Sequence, residues 1–191
     1  MTQIDLDYTK TIRIIGCDPG TTYTGVAILE LRLPDLEIVS IKTHLIDMYG
    51  ITNPLMLNTD LQSRLNYLYG KFNMLLNYVN PFSVSIESPF INRFRPQAVV
   101  PLSQSLMALE LAAMHHNPYL MITKYPPSTI KNAVGAKGGA DKIGVLDALW
   151  KVEEVSKLIN LNNITEHEVD GIAIAYTNLR LLRNNKVLLC L

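Results

Sequence analysis

Cysteine is nearly absent. Cys17 and Cys190 are the two thiols in 191 residues, too few for a disulfide framework, and Cys17 lies in an apolar run that reads as a strand rather than a surface thiol. A reducing, cytoplasmic setting is therefore expected. No apolar stretch approaches the roughly 18 residues of a membrane span, and the N-terminus lacks the basic-then-apolar order of a secretory signal, so no membrane partner is expected. Cys190 is penultimate and fits no prenylation box. Neither charge sign is in surplus: 17 Lys+Arg face 17 Asp+Glu, which removes any global pull toward nucleic acid and leaves such binding to a local patch. Internal repeats and low-complexity segments are missing as well, which excludes solenoid and disordered architectures. What is present is 48% hydrophobic residues, enough for a single core that folds without a metal or disulfide. Residues 1–10 read as a polar tail, 11–184 as one domain and 185–191 as a C-terminal tail.

Ile12 to Cys17 is a short apolar run stopped by Asp18-Pro19-Gly20, a strand followed by a turn. Tyr23 to Leu29 and the alternating Glu37 to Thr43 add two strands, and the short links predict an antiparallel meander. From Asn58 to Val79 the apolar residues Leu61, Leu65, Leu68, Phe72, Leu75 and Val79 recur at helical spacing. Phe82 to Glu87 alternates as a fourth strand. A helix over Ser103 to His115 and a strand over Tyr119 to Lys124 follow, and helical patterns fill most of the rest. The fold class is thus α/β, with helices on a mixed sheet. A helix between strands three and four lets strands one and four lie parallel, which would bring Asp18 and Glu87 together at the carboxyl edge, where ligand sites of open α/β sheets form.

Thr165-Glu166-His167-Glu168 matches a capping box and predicts a helix start, with Val169, Ile172, Ala173 and Tyr176 as its buried stripe. That helix offers Asp170 as a third acidic group, with Glu166, His167 or Glu168 as companion. Carboxylate oxygens suit hard divalent cations, and such a cluster can hold two ions that activate water and stabilise a departing phosphodiester oxygen. Taken singly, each residue has a plainer role as turn former, solvated strand end or helix-dipole partner.

Four segments in order change that balance: Gly16-Cys-Asp-Pro-Gly-Thr-Thr-Tyr-Thr-Gly25, Ser85-Ile-Glu-Ser-Pro-Phe90, Tyr125-Pro-Pro-Ser-Thr-Ile-Lys131 and His167-Glu-Val-Asp-Gly-Ile-Ala-Ile-Ala175. Together, over about Ile12 to Tyr176, they resemble the RuvC family of Holliday-junction resolvases. The resemblance implies a ribonuclease-H-like fold with a five-stranded sheet of order 3-2-1-4-5 and helices on both faces. It implies a homodimer that cuts four-way and other branched DNA with two Mg²⁺ ions per site, Mn²⁺ substituting, in the cytoplasm of a bacterium or phage-infected host. By the same resemblance Asp18, Glu87, His167 and Asp170 are the metal ligands, and Lys131 and Lys142 face the scissile phosphate, Lys142 with a catalytic part. Phe90 would stack on or wedge between bases, against the plainer alternative of covering the sheet end.

Arg93 and Arg95 fit no apolar period and suit phosphate contacts. From Lys124 to Lys151 five lysines (Lys124, Lys131, Lys137, Lys142, Lys151) against Asp141 and Asp147 leave +3 in a neutral chain, a candidate DNA channel containing the flexible turn around Lys137. That turn is not a P-loop, since its Gly-Lys-Ser/Thr ending is missing. Three rivals share features of this pattern. The first phosphate loop of the actin and sugar-kinase ATPases resembles Asp18 to Gly25, but those proteins bind nucleotide between two such domains, so no nucleotide cofactor is expected here. A non-hydrolytic branched-nucleic-acid binder and a nuclease acting on ribosomal RNA precursors are the others.

Overall fold

The structure is a computed structural model and describes residues 10–52, 60–89 and 96–184. The elements run β1 (Thr11–Asp18), β2 (Tyr23–Arg32), β3 (Glu37–Asp47), α1 (Asp60–Val79), β4 (Ser83–Glu87), α2 (Val99–His116), β5 (Met121–Tyr125), α3 (Pro127–Ala133), α4 (Lys142–Trp150), α5 (Glu153–Ser156) and α6 (Glu166–Asn184), with single 3₁₀ turns before α2 and α6. Both expected tails lie largely outside the described residues, as do Cys190, Phe90, Arg93 and Arg95. Among the described residues no helix is long and apolar enough to cross a membrane.

The sheet order is β3-β2-β1-β4-β5, as expected. β1, β2 and β3 pair antiparallel, whereas β1/β4 and β4/β5 pair parallel, because α1 and α2 carry the chain back across one face before each new strand. Side chains alternate across β1, so Ile15 and Cys17 face α1 and α2 while Ile14 and Gly16 face α6. Two apolar layers result, one on each face of the sheet.

Several boundaries differ from the sequence expectation. β2 runs on to Arg32 and β3 to Asp47. The polar residues at these ends are tied rather than free: Glu30 accepts from Thr11 and Arg13 of β1 at 3.0 and 3.2 Å. α2 starts at Val99, four residues before the expected Ser103, with Pro101 inside its first turn. Proline is tolerated there because the first N–H groups of a helix have no intrahelical acceptor. β5 begins at Met121 rather than Tyr119, whose N–H instead closes a turn on Asn117 Oδ1 at 2.9 Å. In α1 the fully buried residue near the C-terminus is Leu76, with Leu75 only partly covered.

Candidate active site at the carboxyl edge of the sheet

The parallel register pairs Cys17 with Ile86, so the next residues, Asp18 and Glu87, end β1 and β4 side by side. Beyond Asp18 the chain turns sharply. A Cβ on Gly20 would stand 2.0 Å from the carbonyl oxygen of Tyr23, so only glycine fits.

α6 supplies the other half. Thr165 and Glu168 close the expected capping box: Thr165 N–H and Oγ1 donate to Glu168 Oε2 at 2.9 and 2.8 Å, and Glu168 N–H donates to Thr165 Oγ1 at 3.3 Å. Burial raises the Glu168 pKa, but these bonds outweigh it and hold the group below its ordinary value. Glu168 is thereby committed to the helix start. Glu166 points the other way, to Lys142 Nζ at 2.9 Å. His167 is the companion that meets the strands, its Nδ1 lying 2.9 Å from Asp18 Oδ2.

Small residues make this approach possible. A Cβ on Gly25 of β2 would lie 1.8 Å from the His167 carbonyl oxygen, and one on Gly16 of β1 would lie 2.3 Å from both Ala175 N and Gly171 O. α6 therefore rests on bare backbone of β1 and β2, closer than any side chain would permit. Buried polar contacts fix its far side: Tyr125 OH donates to Asn178 Oδ1 at 3.1 Å, Asn178 Nδ2 donates to Ser83 Oγ at 2.8 Å, and Ser85 Oγ donates to Ile174 O at 3.4 Å.

Asp18, Glu87, His167, Asp170, Lys131 and Lys142 line one cavity of about 620 Å³. Burial, then the neighbouring Asp18 and Asp170, push the Glu87 pKa up to about 7 despite Lys131 and Lys142. Burial and then Asp18 raise Asp170 to about 6. The hydrogen bond to Asp18 raises His167 against the opposing effect of burial. Carboxylates crowded into a half-buried cavity and destabilised by one another form a donor set that a hard divalent cation would stabilise. As they stand, no three His, Cys, Asp or Glu side chains among the described residues close on a single point. Asp18 is turned onto His167, and Asp170 has Lys142 Nζ at 3.9 Å, so an imidazole and an ammonium of the protein itself lie against these carboxylates.

The five lysines between Lys124 and Lys151 do not form one surface. Lys131, donating to Ala140 O at 2.6 Å, and Lys142 reach the cavity. Lys124 pairs with Glu110 of α2 at 2.8 Å. Lys137 and Lys151 border a separate hollow in which Asp141 and Asp147 balance them. The stretch alternates between short helices and turns, so charges near in sequence point in different directions. Two contributors escaped the sequence reading: Gly25, which seats α6, and Tyr23, whose ring lies 5.7 Å from that of His167. Both stood within the first motif, but nothing in the sequence showed that β2 would face the helix carrying His167.

The family model for crossover junction endodeoxyribonuclease RuvC matches residues 14–178. A crossover junction endodeoxyribonuclease RuvC of Dehalococcoides mccartyi is 30% identical over 166 residues, covering 86% of this chain and 89% of the relative. The same enzyme from Campylobacter hominis is 31% identical, covering 92% and 100%. The structure of Thermus thermophilus RuvC superposes with a TM-score of 0.71 at 21% identity, covering 91% and 97%, and its complex with Holliday junction substrate with 0.67 at 19% identity; at such identities the likeness speaks for the fold. That fold is the expected ribonuclease-H-like sheet with helices on both faces. The match over residues 14–178, with relatives 30% and 31% identical over most of their length, shows that the chain belongs to the RuvC family of crossover junction endodeoxyribonucleases.

Proposed function

We propose that this protein is a metal-dependent endonuclease that cuts Holliday junctions, and other branched DNA, by phosphodiester hydrolysis in recombination and repair. The observation that carries the reading is the gathering of Asp18, Glu87, His167 and Asp170 in one cavity of a RuvC-family chain. These four residues would hold Mg²⁺, as two ions per site, with Mn²⁺ as substitute; imidazole beside carboxylates favours the latter's tolerance for nitrogen. Such ions supply an activated water and neutralise charge on the leaving oxygen. Binding them requires Lys142 to withdraw from Asp170, and Glu166, 2.9 Å from its ammonium, keeps it at the cavity mouth. From there Lys142 and Lys131 meet the scissile phosphate. Phe90, Arg93 and Arg95 follow Glu87 closely in the chain and would engage the junction, with Lys137 on an outlying phosphate.

Two cuts on a two-fold junction call for a dimer, and α2 offers the surface. Val100, Met107, Leu111 and Met114 lie on one face at seven-, four- and three-residue steps and are 64%, 53%, 43% and 54% exposed, an apolar seam of the kind that pairs helices. Sedimentation of L111E should show a monomer.

The decisive experiment is Asp18→Asn with Mg²⁺ and a four-way junction. Cleavage is expected to disappear while binding in gel shift persists. Cleavage by D18N at the wild-type rate, or none by the wild type in Mg²⁺ or Mn²⁺, refutes the reading and leaves a binding module.

A further inference from the structure

Tyr23 and Gly25 are two residues apart on β2 and so face the same side of the sheet, the side covered by α6. Gly25 makes room for the backbone of His167. Tyr23 meets its side chain: the two rings lie with centroids 5.7 Å apart and planes inclined by 30°, within the range of offset aromatic pairs. The attachment of Tyr23 is rigid, because the Gly20 turn folds against its carbonyl and Met48 N–H donates to Thr22 O at 2.8 Å.

His167 is otherwise held at one edge only, by Nδ1 on Asp18 at 2.9 Å, while its Nε2 is 3.9 Å from Glu166 Oε1. A single hydrogen bond leaves an imidazole free to tilt about that contact. A ring packed on its face removes this freedom. We infer that Tyr23 is a positioning residue that fixes the plane of the His167 imidazole and so presets its Nδ1 edge toward Asp18 and the metal-holding cavity. The inference rests on the metal-dependent reading above and adds a residue to it. Outer partners that orient a ligating histidine contribute to metal affinity without touching the ion.

The test is Mn²⁺ titration of the DNA-free protein by calorimetry for wild type, Y23F, Y23L, H167A and the Y23L/H167A pair, together with NMR of the His167 ring in metal-free protein. Y23L should weaken Mn²⁺ binding roughly tenfold and shift the His167 ring resonances, whereas Y23F, which keeps the ring, should stay within about twofold of wild type. In the H167A background Y23L should change nothing, since the partner it acts through is gone. If Y23L melts early, Tyr23→Met, which keeps bulk and loses the aromatic face, takes its place in the same comparison. An equal loss from Y23L with and without His167 overturns the inference, as does a Y23F as impaired as Y23L. Wild-type protein that binds no Mn²⁺ and cuts no junction instead refutes the functional reading; wild type that does both, with Y23L keeping pace, refutes the role of Tyr23 alone.

Discussion

Replacing Gly25 by alanine inserts one methyl group where α6 rests on the sheet. The new Cβ would stand 1.8 Å from the His167 carbonyl oxygen, 2.2 Å from its carbonyl carbon and 2.8 Å from Glu168 N. All three are backbone atoms, so no side chain can swing aside. Ordinary contact begins near 3.4 Å, and the start of α6 must therefore rise about 1.6 Å from β2, or β2 must bow by as much. His167 and Asp170 ride on that turn and would leave Asp18, to which His167 is now joined at 2.9 Å. A misplacement of about 1 Å at a catalytic constellation costs on the order of 100-fold, so single-turnover cleavage of a four-way junction should fall by at least that factor. Overpacking of this kind costs about 1–3 kcal/mol, leaving the chain folded by circular dichroism with a lowered melting temperature. Binding to the junction, which the proposed phosphate contacts on other elements would sustain, should change little. A G25A protein that cuts at the wild-type rate with an unchanged melting temperature would refute the claim that glycine here sets the distance between helix and strand.

Gly70, in the middle of α1, is the opposite case: nothing lies within 4 Å of its would-be Cβ, so G70A should raise stability by about 0.5–1 kcal/mol in thermal or urea unfolding. Asn178 is fully buried and bridges Tyr125 OH and Ser83 Oγ. N178A should cost about 1–3 kcal/mol in urea unfolding, since it removes the partner of the buried Ser83 hydroxyl and the acceptor of Tyr125 OH. Glu154 and Arg183 form a paired contact at 2.7 and 2.8 Å, and the hydrogen bond from Arg183 holds the Glu154 carboxyl below its ordinary pKa. A depressed folded pKa means stability that is fully present above the unfolded value and lost as pH falls through the folded one. Wild type should therefore exceed R183Q by about 1 kcal/mol at neutral pH, with the gap closing on acidification; a gap independent of pH would remove the ion pair from the account.

Local signals made the meander and a parallel pairing of β1 with β4 legible, while the full order 3-2-1-4-5 was what the resemblance implied. Alternation marked β3 and β4, apolar runs marked β1 and β2, and one long helical period lay between β3 and β4, which allows a crossover that sets β4 parallel to β1. That topology allowed Asp18 and Glu87 to meet, and the register of β1 on β4 sets them side by side. The choice among Glu166, His167 and Glu168 was not legible from spacing, since Glu166 and His167 stand four and three residues before Asp170 and both neighbour it on a helix. In the fold the three part company: Thr165 holds Glu168, Lys142 holds Glu166, and His167 meets Asp18.

The five lysines are dispersed for the complementary reason. A net charge counted along the chain describes a surface only when the segment is one straight element, and Lys124 to Lys151 passes through a strand, two helices and their turns. Each change of element redirects the next side chain, so Lys124 meets Glu110 while Lys142 meets Glu166 and Asp170. The acidic groups escaped this dispersal because each sits at the end of an element that the sheet edge collects: two strands finish there, and α6 begins there. Termini of packed elements converge by construction, whereas residues along a folded-back segment do not, and this is why three carboxylates separated by 152 positions from first to last were easier to place than five lysines within one short stretch.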